Sequence, residues 1–238
     1  MSTLNLLYKR EYKINDSIKI IIPSVGEIVD NEDDYYSLIT VLTAMPIDLM
    51  VPLDEAGIDY TQINDYELFL IMSEGIKKQD THLVFGDLDF TKFEISVNPH
   101  NGSLVLRDEV NDITIDRSIY VQISSVLRKI HHLKKNRRKP ANQEAKEYMM
   151  QRAKEKMRRN KNKTQESQLE PLIIALVNTE QYKYDFEGTR ELSIYQFNES
   201  IRQIIHKVDY DNRMYGIYAG TVNAKELSQK ELNWLAHD

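Results

Sequence analysis

The chain contains no cysteine, one tryptophan, six prolines and eight glycines in 238 residues. Without cysteine there are no disulfides, no thiolate nucleophile, no iron–sulfur ligation and no cysteine-based zinc site. Scarce glycine and proline argue against a fibrous or turn-dominated design. No run approaches the roughly 18 to 20 apolar residues that cross a bilayer, and residues 1–12 lack the apolar core and small-residue cleavage pattern of a secretory signal. The Walker motif, the dinucleotide fingerprint and the HExxH spacing are all missing.

What is present is 41% hydrophobic and 29% charged residues with a formal net charge of -6, a globular composition of sufficient length for one substantial domain or two small ones. Fourteen tyrosines offer aromatic surface with polar tips, suited to half-buried cores and to interfaces alike. The charge is unevenly distributed. Between Arg128 and Lys163 lie fifteen Lys or Arg against three Glu, leaving sixteen basic and thirty-four acidic residues elsewhere. Two acidic flanks therefore bracket one electropositive segment, which attracts nucleic acid, an anionic membrane or an acidic protein surface without choosing among them.

Periodicity divides the chain into three parts: an α+β domain over residues 1–130, a basic helical connector over 131–168 and a mainly helical region over 169–238. Tyr12 and Ile14, then Ile18, Ile20 and Ile22 on either side of Asn15-Asp16, predict a hairpin. A helix is expected from Asp33 or Asp34 to Met45, and another from Asp65 to Lys78 with Asp65 as its cap. Strands are expected at Leu83–Phe85, Phe90–Val97, Leu104–Leu106 and Val110–Ile115, with a turn over residues 98–102.

Asp116 or Ser118 opens a helix whose stripe is Ile119, Ile123, Val126, Leu127 and Ile130. Pro140 breaks or restarts it. Residues 141–159 are helix-forming yet poor in large core side chains, as expected of an exposed arm or a helix that binds a partner, and residues 160–168 read as a linker. A helix over Leu169–Val177 follows. Ser193 and Gln196 have capping-box spacing and Leu192 and Phe197 that of a hydrophobic staple, before a stripe through Ile201, Ile204, Ile205 and Val208. Met214–Tyr218 reads as a short strand or a helical turn, and Ser228 and Glu231 repeat the capping-box spacing.

The strongest candidate site is the basic track Lys134, Lys135, Arg137, Arg138 and Lys139, continued by Arg152, Lys154, Lys156, Arg158, Arg159, Lys161 and Lys163. Tyr148 lies within it and could stack on a base, but one aromatic does not make a single-strand platform. A second candidate surface is the aromatic series Tyr184, Phe186, Tyr195, Tyr215 and Trp234, where a small-domain core competes with an interface. His131-His132 are adjacent on a helix and diverge, while His82, His100, His206 and His237 are scattered, so no metal site is expected. Asp30, Glu32, Asp33 and Asp34 are explained by a helix amino terminus. Asp87, Asp89 and Glu94 lack the partners that hydrolysis requires. No cofactor and no enzymatic activity are expected.

Leu6-Leu7-Tyr8 with the strand pair, the helix from Asp34 to Met45, and the motifs Tyr184-Asp185-Phe186-Glu187-Gly188, Ser193-Ile194-Tyr195-Gln196-Phe197 and Leu232-Asn233-Trp234 give the layout its resemblance. It resembles tail-assembly-associated proteins of phages infecting Gram-positive bacteria, especially the tail-assembly-chaperone group. The long basic middle departs from that pattern and leaves room for a virion structural or tail-completion role. The resemblance implies a non-enzymatic protein that binds tail proteins such as the tape-measure protein, in the host cytoplasm during assembly or in the virion, with homo-oligomerisation open. The alternative is a nucleic-acid-binding or genome-packaging accessory acting through the basic connector.

Overall fold

The computed structural model describes residues 4–99, 101–160 and 166–235. Helix α1 (Leu4–Tyr8) leads into the antiparallel hairpin of β1 (Glu11–Lys13) and β2 (Lys19–Ile21), in which Tyr12 faces Ile20. The Asn15 side chain accepts from the backbone N–H groups of Ser17 and Ile18, an Asx turn that sets the register. Ile18, Ile20 and Ile22 are buried, as their alternation predicts.

Helix α2 (Val25–Val29) starts with a full capping box, in which Ser24 accepts from the Glu27 N–H and Glu27 accepts from the Ser24 N–H. Helix α3 (Glu32–Thr43) runs into a 3-10 turn at Pro46–Leu49 and the short α4 (Met50–Glu55). Helix α5 (Asp65–Ile76) is capped by Asn64, one residue earlier than expected, with Glu67 closing the box. Releasing Asp65 from capping frees its carboxylate for the connector.

Leu83–Phe85, expected as a strand, belongs to helix α6 (His82–Phe85). The Thr81 carbonyl accepts from the N–H groups of Val84 and Phe85, and Gly86 ends the turn at φ +62°, a conformation natural to glycine. Phe90–Lys92 forms a 3-10 turn, so the expected strand shortens to β3 (Glu94–Val97). With β4 (Leu104–Asp108) and β5 (Ile113–Ile115) it makes a three-stranded antiparallel sheet in the order β3-β4-β5.

Helix α7 (Arg117–Ile130) is capped by Asp116 and buries Tyr120, Ile123, Val126, Leu127 and Ile130. Arg128, counted above with the basic segment, is buried as well. Its guanidinium donates to the Thr43 carbonyl and to Ser124 Oγ, closing the end of α3 against α7. Helix α8 (Gln143–Asn160) has no buried residue.

Next come α9 (Glu170–Val177), α10 (Phe186–Glu191) and the 25-residue α11 (Ile194–Tyr218). The Ser193–Gln196 capping box is formed. Residues 214–218 continue α11 as helix. A Cβ on Gly216 would lie 2.6 Å from Val222 Cγ2, so glycine there lets the following chain fold back closely.

The architecture is an α+β amino-terminal region, a helical connector and a largely helical carboxy-terminal region. The main core is shared. Leu169, Leu176, Tyr182, Leu192, Ile194, Tyr195 and Phe197 pack in the same cluster as β2, α2, α3, α5 and α7. Backbone bonds from Val25 N to Leu192 O and from Ile194 N to Pro23 O stitch the junction. Among the described residues, no helix is long and apolar enough to cross a membrane.

Candidate partner-binding surface

The connector begins where α7 leaves the core. His131 is held by Tyr35, whose hydroxyl lies 2.9 Å from Nε2, and burial with the neighbouring His132 pushes its pKa down to about 4. Beyond it Lys135 pairs with Asp65 at 3.0 Å, and Asn136 donates to Asp48 at 2.7 Å.

Along α8, side chains three, four and seven or eight apart share a face. Lys146 pairs with Asp59 at 2.6 Å and Lys154 with Asp54 at 2.7 Å. Between them Met149 and Met150 pack on a satellite core of Ala44, Ile47, Leu53, Tyr60 and Leu68. Lys146 also stands 5.6 Å from the centre of the Tyr60 ring. Its hydrogen bond, followed by those from the Thr61 N–H and hydroxyl, takes the Asp59 carboxyl down to about 2. The far end of the connector is tied by Glu32, which accepts from the Ser167 hydroxyl and from the backbone N–H groups of Gln168 and Leu169.

The inner face of α8 is thus spent on the protein's own acidic residues. The opposite face carries Tyr148, Arg152 and Arg159, all exposed. The Arg152 guanidinium lies 5.7 Å from the Tyr148 ring, and Arg159 makes only a long 4.0 Å pair with Glu155. Lys134, Arg137, Arg138, Lys139, Lys156 and Arg158 are exposed, and none has an ion-pair partner among the described residues. Arg137, Arg138 and Lys139 line a cleft of about 680 Å³ together with the apolar Met45, Pro46, Ile47 and Ile63 and the ion-paired Asp59 and Asp65. The cleft therefore combines apolar surface with unneutralised cations. Lys161 and Lys163 lie outside the described residues.

The aromatic candidates separate. Tyr195 is buried, its ring 6.4 Å from that of His132, and serves the core. Tyr184 and Phe186 are about half exposed at the start of α10, where Asp185 caps the helix. Tyr215 is exposed near the end of α11. Trp234 folds back on α11, its carbonyl accepting from Gln203 Nε2 at 3.1 Å. These residues and the basic connector occupy different elements, so the candidates make two surfaces and not one site.

Several of the other acidic candidates have structural partners. Asp30 pairs with Arg190, Asp89 caps Thr91 and Glu94 pairs with Lys77. Among the described residues, no group of three His, Asp or Glu is placed to hold a metal ion; His100 and His237 lie outside them. Sequence reasoning missed the acceptor row Asp48, Asp54, Asp59 and Asp65. Its only signal in the sequence was the acidic repeat of residues 48–65, whose lysine partners stand 70 to 100 positions later.

Residues 160–237, about a third of the chain, match the family described as the YomV second domain, beginning at the last residue of α8. No curated protein and no solved structure matches the chain.

Proposed function

We propose that the protein is a non-enzymatic phage tail-assembly or virion structural protein that binds other tail proteins through the outer face of its basic connector and the exposed aromatics of its carboxy-terminal region. The observation that carries this reading is the division of labour on the connector. Lys135, Lys146 and Lys154 are neutralised internally, whereas Lys134, Arg137, Arg138, Lys139, Lys156 and Arg158 are exposed with no ion-pair partner among the described residues. Four of these cations lie on the stretch leading into α8 and two on α8 itself, and both parts are anchored by their neighbours' contacts to the amino-terminal region, so they present a pattern that steers encounter with an acidic partner. The cleft beside Arg137–Lys139 adds apolar area, so the partner segment it fits is acidic and amphipathic.

The phage setting, including the tape-measure protein as a partner, rests on the resemblance of the motifs quoted above. The YomV match spans the carboxy-terminal ones and gives residues 160–237 a family pattern of their own, although part of that region packs in the shared core. The test is capture of tail intermediates on the tagged full-length chain at near-physiological salt, followed by mass spectrometry and mapping of the contacts. Tail proteins cross-linked to the connector or to α10 support the reading; their absence rejects it. A parallel titration with single- and double-stranded DNA and RNA decides the alternative. Binding there with a steep salt slope would move the function to nucleic acid.

A further inference from the structure

Helix α11 carries one face from the core into open solvent. Ile194 and Phe197 on that face are fully buried, and Ile201 and Ile204 pack half-buried against the core. Beyond them the same face continues with Ile205, Val208, Asp211, Asn212, Tyr215 and Tyr218, since steps of three and four residues stay on one side of a helix. Here none of the described residues covers it. Ile205 is 57%, Val208 37%, Tyr215 73% and Tyr218 80% exposed. The returning tail lies on another face, where Gln203 and His206 meet the carbonyls of Trp234 and Asn233 and Lys207 stands over the Trp234 ring.

We propose that this stripe is where a second copy of the chain docks, with the two α11 helices antiparallel about a two-fold axis between residues 211 and 212. Three features of the stripe point to a second copy. First, its order is palindromic: apolar at 205 and 208, polar at 211 and 212, apolar at 215 and 218. A reversed copy brings Val208 level with Tyr215 of the partner subunit, Ile205 level with Tyr218 of the partner subunit, and polar groups together at the axis. Such self-complementarity is what a closed, isologous contact requires.

Second, the direction follows from the core. The body of each copy lies on the stripe side of residues 194–204, so a parallel partner would run its own helix into that body. An antiparallel partner instead fills the shelf beyond it. Third, charge balances at the axis, because each Asp211 arrives already bonded to Lys207 of its own chain. The overlap of residues 205–218 is about 20 Å of helix. It buries a total area on the order of 1,000 Å², near the lower limit for a specific interface. The dimer is therefore weak, dissociating at concentrations on the order of 10 to 100 µM.

The chain has no cysteine, so engineered thiols report cleanly. Full-length Val208→Cys and Tyr215→Cys chains are oxidised separately and as an equimolar mixture, alongside sedimentation of the unmodified chain over a concentration series. The proposal predicts a monomer–dimer equilibrium and disulfide-linked dimers chiefly in the mixture. In each single variant the two thiols lie about seven residues, or about 10 Å, apart along the axis, beyond disulfide reach. Val208→Asp with unchanged helical circular dichroism should return the chain to monomer. Predominant self-linkage of the single variants would overturn the antiparallel arrangement. A monomer at every concentration, with no linkage, would overturn the second copy as occupant and leave the stripe to a different protein.

Discussion

The Lys146 ammonium donates to the Asp59 carboxylate at 2.6 Å across 87 positions of sequence, and it does so while lying over the Tyr60 ring. This pair, with Lys135–Asp65 and Lys154–Asp54, holds a helix that contributes no buried residue. Exposed ion pairs are individually weak and are screened by salt, so the connector is fastened by many small contacts. Asp54→Asn, Asp59→Asn and Asp65→Asn together should speed amide exchange and proteolysis across residues 136–160 while barely moving the thermal midpoint. High salt should act in the same direction. Acid should as well: the Asp59 carboxyl is depressed to about 2, so its contribution is complete above the ordinary carboxylate range near 4 and is lost as pH falls from there towards 2.

Core stability should depend on pH through a different residue. His131 is held neutral by burial, with its pKa near 4 against 6.5 for an ordinary imidazole. Between those values the unfolded chain binds a proton that the folded chain excludes. Stability is therefore full above about pH 6.5 and falls as pH drops to about 4, by about 3 kcal/mol. Denaturant titrations from pH 7 to pH 4 should show this slope, and His131→Gln, which retains a hydrogen-bonding group for Tyr35, should flatten it.

Phe197→Ala should destabilise the whole protein and not the carboxy-terminal region alone. The ring is fully buried within the shared core, and its removal costs about 3–5 kcal/mol. Denaturation followed separately by amide exchange of α3 and of α11 should give coincident, shifted transitions. Ile201→Ala, at the half-buried margin, should cost less.

Gly26→Ala tests the junction between the amino- and carboxy-terminal parts. A Cβ there meets the Cβ, Nε and backbone oxygen of Arg190 at 3.3 Å. The substitution presses on α10 beside the Arg190–Asp30 ion pair and should cost about 1–3 kcal/mol as overpacking, read as a lowered denaturation midpoint with an unchanged slope.

Much of the fold was legible wherever a residue's role is local. The alternation at Ile18, Ile20 and Ile22, the stripe of α7 and the Ser193–Gln196 box depend only on neighbours a few positions away. Leu83–Phe85 was misread, because three apolar residues carry no period and the Thr81 carbonyl and Gly86 decide the outcome, and the strands expected at Phe90–Val97 and Val110–Ile115 begin later, at Glu94 and Ile113. At the candidate site the cations were visible, but their sorting was not. Which lysines are neutralised depends on Asp54, Asp59 and Asp65, and their proximity exists only after folding. The same holds for Arg128, which reads as one more cation in a basic run and is in fact a buried tie between α7 and the end of α3. Tyr195 and Tyr215 look alike in sequence; packing in the shared core hides the first and the projection of α11 exposes the second.

The most direct test of the account compares two charge-neutralised full-length chains in the same capture of tail proteins at fixed salt. One carries Arg137→Gln, Arg138→Gln, Lys139→Gln, Arg152→Gln and Lys156→Gln on the outward surface. The other carries Lys146→Gln and Lys154→Gln on the inward face. The account predicts that the outward variant stays folded yet loses the partner, while the inward variant loosens α8 and captures it less well than the unmodified chain but better than the outward variant. Equal capture by the outward variant and the unmodified chain would contradict the assignment of that surface.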